Sequence, residues 1–314
     1  MTTSELFDER GPEANNRRAA QFESQVVGMS KALGWTTVCH NVDVFIKDEG
    51  SNPSRGIDVL WGLENPQTGE KDGILGEAKV HKKQATLSTL QDELQTVHDK
   101  MVKFSDRQAF SGNEYIRKHV DALRWGLLAH RTVPWDPVKA SEDLRSVELK
   151  SLHRRGHVTT IVFTGPDTLD AFADCVRLRP GGTALTPKEF YWPAYEEADA
   201  AWATCCPPHQ LGEGMVAYKT EDGRTVLWLR DTLTVKDMSH IKDIAFEWRL
   251  DVDVVVPSEL SRDAWPLVRD AWRNTAEAVS TRRTGHLPDA VEARGLTYAG
   301  LNNFDDAWPV EEGL

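Results

Sequence analysis

The most constraining pattern in the sequence is an apolar repeat between residues 84 and 104. Its members follow one another at steps of three and four residues: Leu87, Leu90, Leu94, Val97, Met101 and Phe104. This spacing places them all on one side of an α-helix of about five turns. A helix with one apolar face has to pack against another element, and the segments that precede it indicate a β-sheet.

Strand-like and helical segments alternate along the first half of the chain. The predicted strands are residues 38–46, 57–63, 74–80, 123–130 and 158–165. The other predicted helices are residues 19–33, 141–153 and 167–176. The order of helix, three strands, helix, strand, helix, strand and helix predicts an α/β fold, with a mixed central sheet flanked by helices.

Chain length and the positions of proline- and glycine-rich segments predict two domains within the 314 residues. Residues 1–16 are polar without an apolar period and predict a flexible N-terminal arm, so the first domain is expected at 17–185. Proline and glycine cluster near 179–187 and 205–214, which predicts a boundary between roughly 180 and 212. Residues 212–314 predict a smaller α+β accessory domain for oligomerisation or target sensing.

Charge and cysteine content limit the classes of function. The chain has 37 basic and 49 acidic residues, a net charge of -12, so contact with a polyanion has to come from local basic patches. No apolar run approaches the roughly 20 residues of a membrane span, and the N-terminus lacks a secretory apolar region. Four cysteines are too few for a disulfide scaffold. We therefore expect a cytoplasmic protein without a membrane partner.

The residues with the clearest chemical potential lie in the second and third predicted strands. Glu77 and Lys79 are two residues apart, so a strand directs both side chains to the same face. Burying these charges costs several kcal/mol unless they are paired or bind an ion. If Asp58 lies on the neighbouring strand, two carboxylates and a lysine converge, and hard divalent cations prefer such oxygen ligands. This pattern predicts a Mg²⁺ site suited to phosphodiester hydrolysis.

Other residues extend this candidate site. Glu23 lies at the edge of the inward face of the first helix and is a candidate further ligand, directly or through water. His81, Lys82 and Lys83 follow the third strand directly, where a basic loop can grip a phosphate backbone.

The arrangement resembles the PD-(D/E)xK nuclease superfamily over residues 19–178, through Glu23, Asp58 and Glu77-Ala78-Lys79. The resemblance implies a restriction-endonuclease-like αβββαβ core and cleavage of DNA. It also implies that Asp58, Glu77 and the Ala78 carbonyl hold Mg²⁺ or Mn²⁺, with Lys79 at the attacking water.

The chain departs from the superfamily pattern at two points. Ile57 stands where the superfamily's name has proline. Gln91 matches a supporting glutamine of some members, but Gln95 takes the place of the tyrosine that follows it there.

The first hypothesis is a metal-dependent DNA endonuclease, a restriction or anti-phage defence effector. The resemblance further suggests a homo-oligomer and an ATPase, helicase or sensor partner subunit; RNA is the alternative substrate. The second hypothesis is a non-catalytic nucleic-acid-binding or scaffold subunit, and the third is a repair or junction-resolving nuclease.

A structural alternative makes Glu77 and Lys79 an exposed cross-strand pair on an edge strand, with Asp58 capping a turn.

Overall fold

The computed structural model of this chain separates into two compact units, one of residues 1–169 with 304–314 and the other of residues 170–303. The structure describes residues 12–45, 54–104, 114–132, 134–149, 160–169, 186–194, 199–230, 248, 250 and 254–257. No helix in these ranges is long and apolar enough to cross a membrane.

The first unit is an α/β structure built on a mixed five-stranded sheet, which confirms the predicted fold class at this level. Its strands are β1 (Thr36–Phe45), β2 (Ser54–Glu64), β3 (Lys71–His81), β4 (Ala122–Thr132) and β5 (Thr160–Thr164). Its helices are α1 (Pro12–Ala32), α2 (Leu87–Phe104), α3 (Glu114–His119) and α4 (Pro137–Arg145).

The strand order is β1-β2-β3-β4-β5, and the pairing changes direction at β3. β1, β2 and β3 pair antiparallel, whereas β3–β4 and β4–β5 are parallel. Antiparallel neighbours need only short turns, and Gly69, at φ +70°, permits the turn between β2 and β3. A parallel neighbour needs a crossover, and α2 lies in the connection from β3 to β4.

The apolar stripe of α2 packs on one face of this sheet. Leu94, Val97 and Met101 belong to one buried cluster with Leu75 of β3 and Leu128 of β4. Burying an aliphatic side chain of this size contributes about 1.5–3 kcal/mol. The stripe predicted from the sequence is therefore the core contact of the helix. Leu87, at the first position of α2, is the exception because it is 38% exposed.

Gly76 of β3 allows a close approach of Trp61, whose side chain is fully buried. A Cβ atom added to Gly76 would lie 2.2 Å from the Trp61 ring, too near for either group to remain in place. The absence of a side chain at this position is therefore a packing requirement of the strand pair β2–β3.

We expect Gly76→Ala to lower the free energy of unfolding by about 1–3 kcal/mol, because the added methyl overpacks the core. Urea unfolding followed by tryptophan fluorescence measures this change. In a Trp61→Phe background the same substitution should cost less, since the smaller ring leaves room. Equal costs in the two backgrounds would contradict the contact.

Several boundaries differ from the sequence predictions. α1 begins at Pro12, so residues 12–16 are helical and not part of a flexible arm, while residues 1–11 lie outside the described ranges. α4 begins at Pro137, before the predicted start at residue 141. The Asp136 carboxylate accepts a hydrogen bond from the Lys139 N–H at 3.0 Å, and this N-cap fixes the start of the helix.

The second unit contains another five-stranded sheet, in the order β10-β9-β8-β6-β7. Its elements are β6 (Pro187–Trp192), β7 (Ala201–Ala203), α5 (Pro208–Glu213), β8 (Met215–Thr220), β9 (Thr225–Leu229) and β10 (Val254–Pro257). β9 pairs parallel with β10, and the remaining pairs are antiparallel. Trp265, Val268, Trp272 and Val279 recur at helical spacing and predict a helix from about residue 263, which lies outside the described residues.

The stretch from 180 to 212, where the sequence predicts the domain boundary, contains β6, β7 and α5 of the second unit. The division between the two compact units falls after Leu169. Tertiary hydrogen bonds hold this stretch in the second unit. The fully buried Gln210 amide donates to the Tyr191 carbonyl at 2.8 Å and accepts from the Ala217 N–H at 3.1 Å. It thus joins β6 to β8 through a segment rich in proline.

We expect the second unit to lose stability in mild acid through His209. Burial lowers the pKa of His209 to about 4 from its ordinary value of 6.5, so the unfolded chain binds a proton that the folded chain excludes. Above pH 6.5 the imidazole is neutral in both states and costs nothing; as the pH falls from 6.5 to 4, the free energy of unfolding falls progressively, because only the unfolded chain is protonated. Between pH 7 and pH 5 the loss should be about 2 kcal/mol.

Urea unfolding of wild type and His209→Gln at both pH values tests this expectation. The variant should lose less stability on acidification than wild type. Parallel losses in the two proteins would assign the acid sensitivity to other groups.

Candidate active site

The candidate site lies where β2 and β3 cease to pair. The last pair of their ladder at this end is Val59 with Gly76, and Asp58 and Glu77 are the next residues on the two strands. Beyond that pair, the Asp58 Oδ2 atom accepts a hydrogen bond from the Ala78 N–H at 3.2 Å. The carboxylate therefore continues the contact between the strands after the backbone ladder ends.

Three of the residues singled out from the sequence come together here. Lys79 Nζ lies 3.0 Å from Glu77 Oε2 and 3.6 Å from Asp58 Oδ2. Glu77 and Lys79 share a face of β3, as their spacing predicts, and the ammonium group lies within ion-pair distance of both carboxylates.

Burial distinguishes this cluster from an ordinary surface pair. The Glu77 side chain is 2% exposed, that of Asp58 is 22% exposed and that of Lys79 is 32% exposed. β3 is the central strand of the sheet, not an edge strand. The structural alternative of an exposed pair on an edge strand is therefore wrong for Glu77.

Lys100 of α2 is a member of the cluster that the sequence interpretation missed. Its ammonium group contacts Glu77 Oε1, so the two oxygens of this carboxylate face two different lysines. A sequence signal for it exists, because Lys100 follows the buried Val97 by three residues and precedes the buried Met101. A lysine beside an apolar stripe is directed toward the edge of the packed sheet.

The charges of the cluster shift the pKa of Lys79. Burial lowers the pKa of this ammonium group, but the Glu77 and Asp58 carboxylates raise it by more, so the net pKa lies above its ordinary value. Lys79 is therefore a cation at neutral pH in this structure. In that state it can orient a water or stabilise an anion, whereas it cannot accept a proton.

Glu23 approaches the same region from α1. Asn41 Nδ2 donates a hydrogen bond to Glu23 Oε2 at 3.2 Å, and His40 Nε2 lies 3.7 Å from the same oxygen. Burial raises the pKa of Glu23; the Asn41 hydrogen bond opposes this shift, and the Asp58 charge adds to it. Asn41 lies between His40 and Val42, which pair with Val59 and Ile57 of β2, so Glu23 contacts β1 opposite the position of Asp58.

His81 is placed differently from the sequence prediction, which put it in a basic loop with Lys82 and Lys83. The His81 ring does not extend into the basic loop, because its Nε2 atom lies 2.7 Å from Glu93 Oε1 on α2. Lys82 and Lys83 are exposed.

Gln91, the predicted supporting residue, bonds elsewhere. Its amide oxygen accepts the Glu148 N–H at 2.8 Å, and its amide nitrogen donates to the Glu148 carbonyl. Gln91 therefore fixes the segment after α4 and is not among the partners found for Asp58 or Glu77.

The Asp58 and Glu77 carboxylates suit a divalent cation because both already face a positive group. In this structure a positive group, the Lys79 ammonium, already lies within ion-pair distance of both Asp58 and Glu77. Carboxylate oxygens converging on a cation are the ligands that Mg²⁺ and Mn²⁺ prefer. Asp58 and Glu77 are thus the carboxylates that flank this cation, whereas the contacts of Glu23 are with Asn41 and His40.

No protein-family model, curated protein or solved structure matches this chain. The nuclease resemblance accordingly stays an expectation, carried by Glu23, Asp58, Glu77 and Lys79 and by the order of the elements that bear them.

We expect Lys100→Met to lower the free energy of unfolding by about 1–3 kcal/mol, because the buried Glu77 carboxylate loses one of its charged partners. The substitution should cost less in a Glu77→Gln background, where no buried charge needs compensation. Urea unfolding of the four proteins gives this coupling directly.

Lys139→Met is the matched control, since the Lys139 side chain is 50% exposed and pairs only with its helix neighbour Asp143 in the contacts found. It should change stability by less than about 0.5 kcal/mol. If Lys100→Met were equally costly with and without the Glu77 charge, the pair would not be the source of the effect.

Proposed function

We propose that this protein is a metal-dependent endonuclease that hydrolyses phosphodiester bonds in DNA. The observation that carries the proposal is the convergence of Asp58, Glu77 and Lys79 at the end of the β2–β3 ladder. A buried carboxylate, a half-buried carboxylate and a lysine from adjoining strands provide a cation site with a positive group beside it.

The order of elements supports the same proposal. The first unit has an opening helix, three antiparallel strands, a crossover made of α2 and the short α3, and a parallel strand. This is the αβββαβ order that the restriction-endonuclease-like resemblance implies. Glu23, Asp58 and Glu77 lie on α1, β2 and β3 respectively, the positions that carry the acidic residues in that resemblance.

In this proposal Asp58, Glu77 and the Ala78 carbonyl hold Mg²⁺ or Mn²⁺, and Glu23 adds a ligand directly or through water. When bound, the ion polarises a phosphoryl oxygen and lowers the pKa of a bound water. Lys79 is the most exposed of the three clustered side chains. In this proposal it orients the attacking water and offsets charge on the phosphate. Lys100 acts as a positioning residue by holding the second oxygen of Glu77.

The distribution of charge suits contact with DNA at a restricted surface. The chain as a whole has a net charge of -12, which disfavours binding along the whole molecule. The exposed Lys82 and Lys83 immediately follow β3, which carries Glu77 and Lys79. These lysines would contact the phosphate backbone beside the proposed cleavage site.

The biological setting follows from the resemblance alone and belongs to the same proposal. It comprises a restriction or anti-phage effector, acting as a homo-oligomer with an ATPase, helicase or sensor partner. A repair or junction-resolving nuclease would use the same residues, and preference for four-way junctions over linear duplex would identify it.

A non-catalytic scaffold is the second candidate, and one observation favours it. Both oxygens of Glu77 already face lysines, so the cluster is also a self-compensated ion-pair network that needs no metal to be stable. A scaffold would bind its partner equally well with these residues replaced.

We expect purified wild-type protein to cut supercoiled or linear DNA in Mg²⁺ or Mn²⁺ and to be inactive in EDTA. Asp58→Asn, Glu77→Gln and Lys79→Met should each reduce the cleavage rate by about 10²–10⁴-fold while the protein remains folded by circular dichroism. Single-turnover assays on a supercoiled plasmid measure the rates.

Two exposed residues of α4 supply matched controls. Lys139→Met and Glu142→Gln make the same chemical changes away from the cluster and should leave the rate unchanged. Calorimetric titration with Mn²⁺ tests the proposed metal site even if the cleavage assay lacks an activator. Equal Mn²⁺ binding by wild type and by Glu77→Gln would overturn the proposed metal site and leave the scaffold.

A further inference from the structure

A second cluster of ligand-type side chains lies next to Lys79 and takes no part in the proposed nuclease site. It is formed by His81 of β3, His130 of β4 and Glu93 of α2, and one ligand atom from each lies within 4.8 Å of the others. In the parallel pairing of β3 with β4, Lys79 is opposite His130, and His81 is two residues further along β3. The parallel strands and the crossover helix thus bring together residues that are distant in sequence.

The contacts inside this cluster are incomplete. His81 Nε2 lies 2.7 Å from Glu93 Oε1, which is hydrogen-bond distance. His130 Nε2 lies 3.6 Å from Glu93 Oε2, which is too far for a direct hydrogen bond. The rings of His81 and His130 are stacked with their centroids 4.8 Å apart, so the two imidazoles are held side by side against the carboxylate.

His130 is the residue that requires an explanation. It is 0% exposed, and neither of its ring nitrogens has a hydrogen-bond partner in the described part of the chain. Glu93 Oε2, which faces it, is also buried without a partner there. Each buried polar atom left in this way costs about 1–3 kcal/mol, so the arrangement suits a further group that would satisfy both atoms.

We propose that His81, Glu93 and His130 form a second metal site, which binds a divalent transition-metal ion of the Zn²⁺ class. Two ligand atoms at about 2.0–2.1 Å from one zinc ion lie roughly 3.4 Å apart at a tetrahedral angle. The 3.6 Å separation of His130 Nε2 and Glu93 Oε2 is close to that value. An ion between them would satisfy the two unpartnered atoms together.

The chemistry of the ligands separates this site from the one at Asp58 and Glu77. Two imidazoles and one carboxylate favour zinc and neighbouring transition metals, whereas carboxylates and a carbonyl favour Mg²⁺ or Mn²⁺. Trp135 and Phe163 lie beside the His130 ring, at 6.0 and 5.8 Å between ring centroids, and form an apolar wall. Such a wall restricts water around the ligands and strengthens their hold on an ion.

The proposed ion would connect three elements of the first unit. Its ligands come from β3, β4 and α2, so binding would fasten the crossover helix to the sheet at the level of Glu93. Lys100 lies seven residues later on α2, about two turns away, and contacts Glu77. Three protein ligands leave a tetrahedral ion one position for water. The site is independent of whether Asp58 and Glu77 support DNA cleavage.

The test uses the full-length protein after removal of metal with EDTA. Zn²⁺ is titrated calorimetrically, and Co²⁺ serves as a spectroscopic probe because its visible absorption reports coordination by imidazole. We expect one tightly bound equivalent of Zn²⁺ in wild type and an increase in melting temperature at saturating Zn²⁺. His81→Ala and His130→Ala should each weaken binding by at least about 100-fold.

Three further variants make the result specific. His119→Ala, in α3, removes a histidine outside the cluster and should bind Zn²⁺ as wild type does. The double variant Asp58→Asn/Glu77→Gln should also keep its Zn²⁺ site while losing Mn²⁺ binding. Glu93→Gln should bind Zn²⁺ more weakly than wild type. His81 is 30% exposed, so His81→Ala tests the site without emptying the core, and circular dichroism checks its fold.

The proposal is overturned if wild type does not bind Zn²⁺ more tightly than His81→Ala does. It is equally overturned if Zn²⁺ binding survives both histidine substitutions, or if it disappears in the Asp58→Asn/Glu77→Gln variant, since the ion would then occupy the carboxylate site. Loss of nuclease activity alone does not bear on these outcomes.

Discussion

The first unit is organised around a carboxylate that is buried in the central strand of its sheet. Glu77 is 2% exposed and lies on the central strand, paired with β4, where an uncompensated charge would cost several kcal/mol. Lys79 from the same strand and Lys100 from α2 compensate it, and Asp58 closes the end of the ladder by accepting the Ala78 N–H. The candidate site is therefore a direct consequence of keeping this charge inside the fold.

The crossover helix α2 serves both the core and the candidate sites. Its apolar stripe packs against the sheet, because a parallel β3–β4 pair requires a connection that returns across one face. Polar residues at the border of this stripe reach the same face: Glu93 contacts His81, and Lys100 contacts Glu77. The packing that stabilises the helix thus also sets which charged groups meet the strands.

The two units differ in how far local sequence specifies them. In the first unit, strand and helix periods are long and separated by clear turns, so the order of elements and the mixed sheet could be predicted. In the second unit, β8 and β9 are apolar runs joined by a turn at Asp222-Gly223, a pattern that predicts two strands. By contrast, β6, β7 and α5 lie in a stretch rich in proline and glycine. Hydrogen bonds from the buried Gln210 hold that stretch in the sheet, and no local pattern encodes them.

The sequence by itself determined the α/β class, the apolar face of α2 and the shared face of Glu77 and Lys79, because each follows from a backbone period of 3.6 or two residues. Tertiary structure alone decided the rest. It brought Lys100 to Glu77, turned His81 from the basic loop toward Glu93, and engaged Gln91 with Glu148. These partners lie 12 to 57 residues apart, and only strand register and the path of the crossover helix make them neighbours.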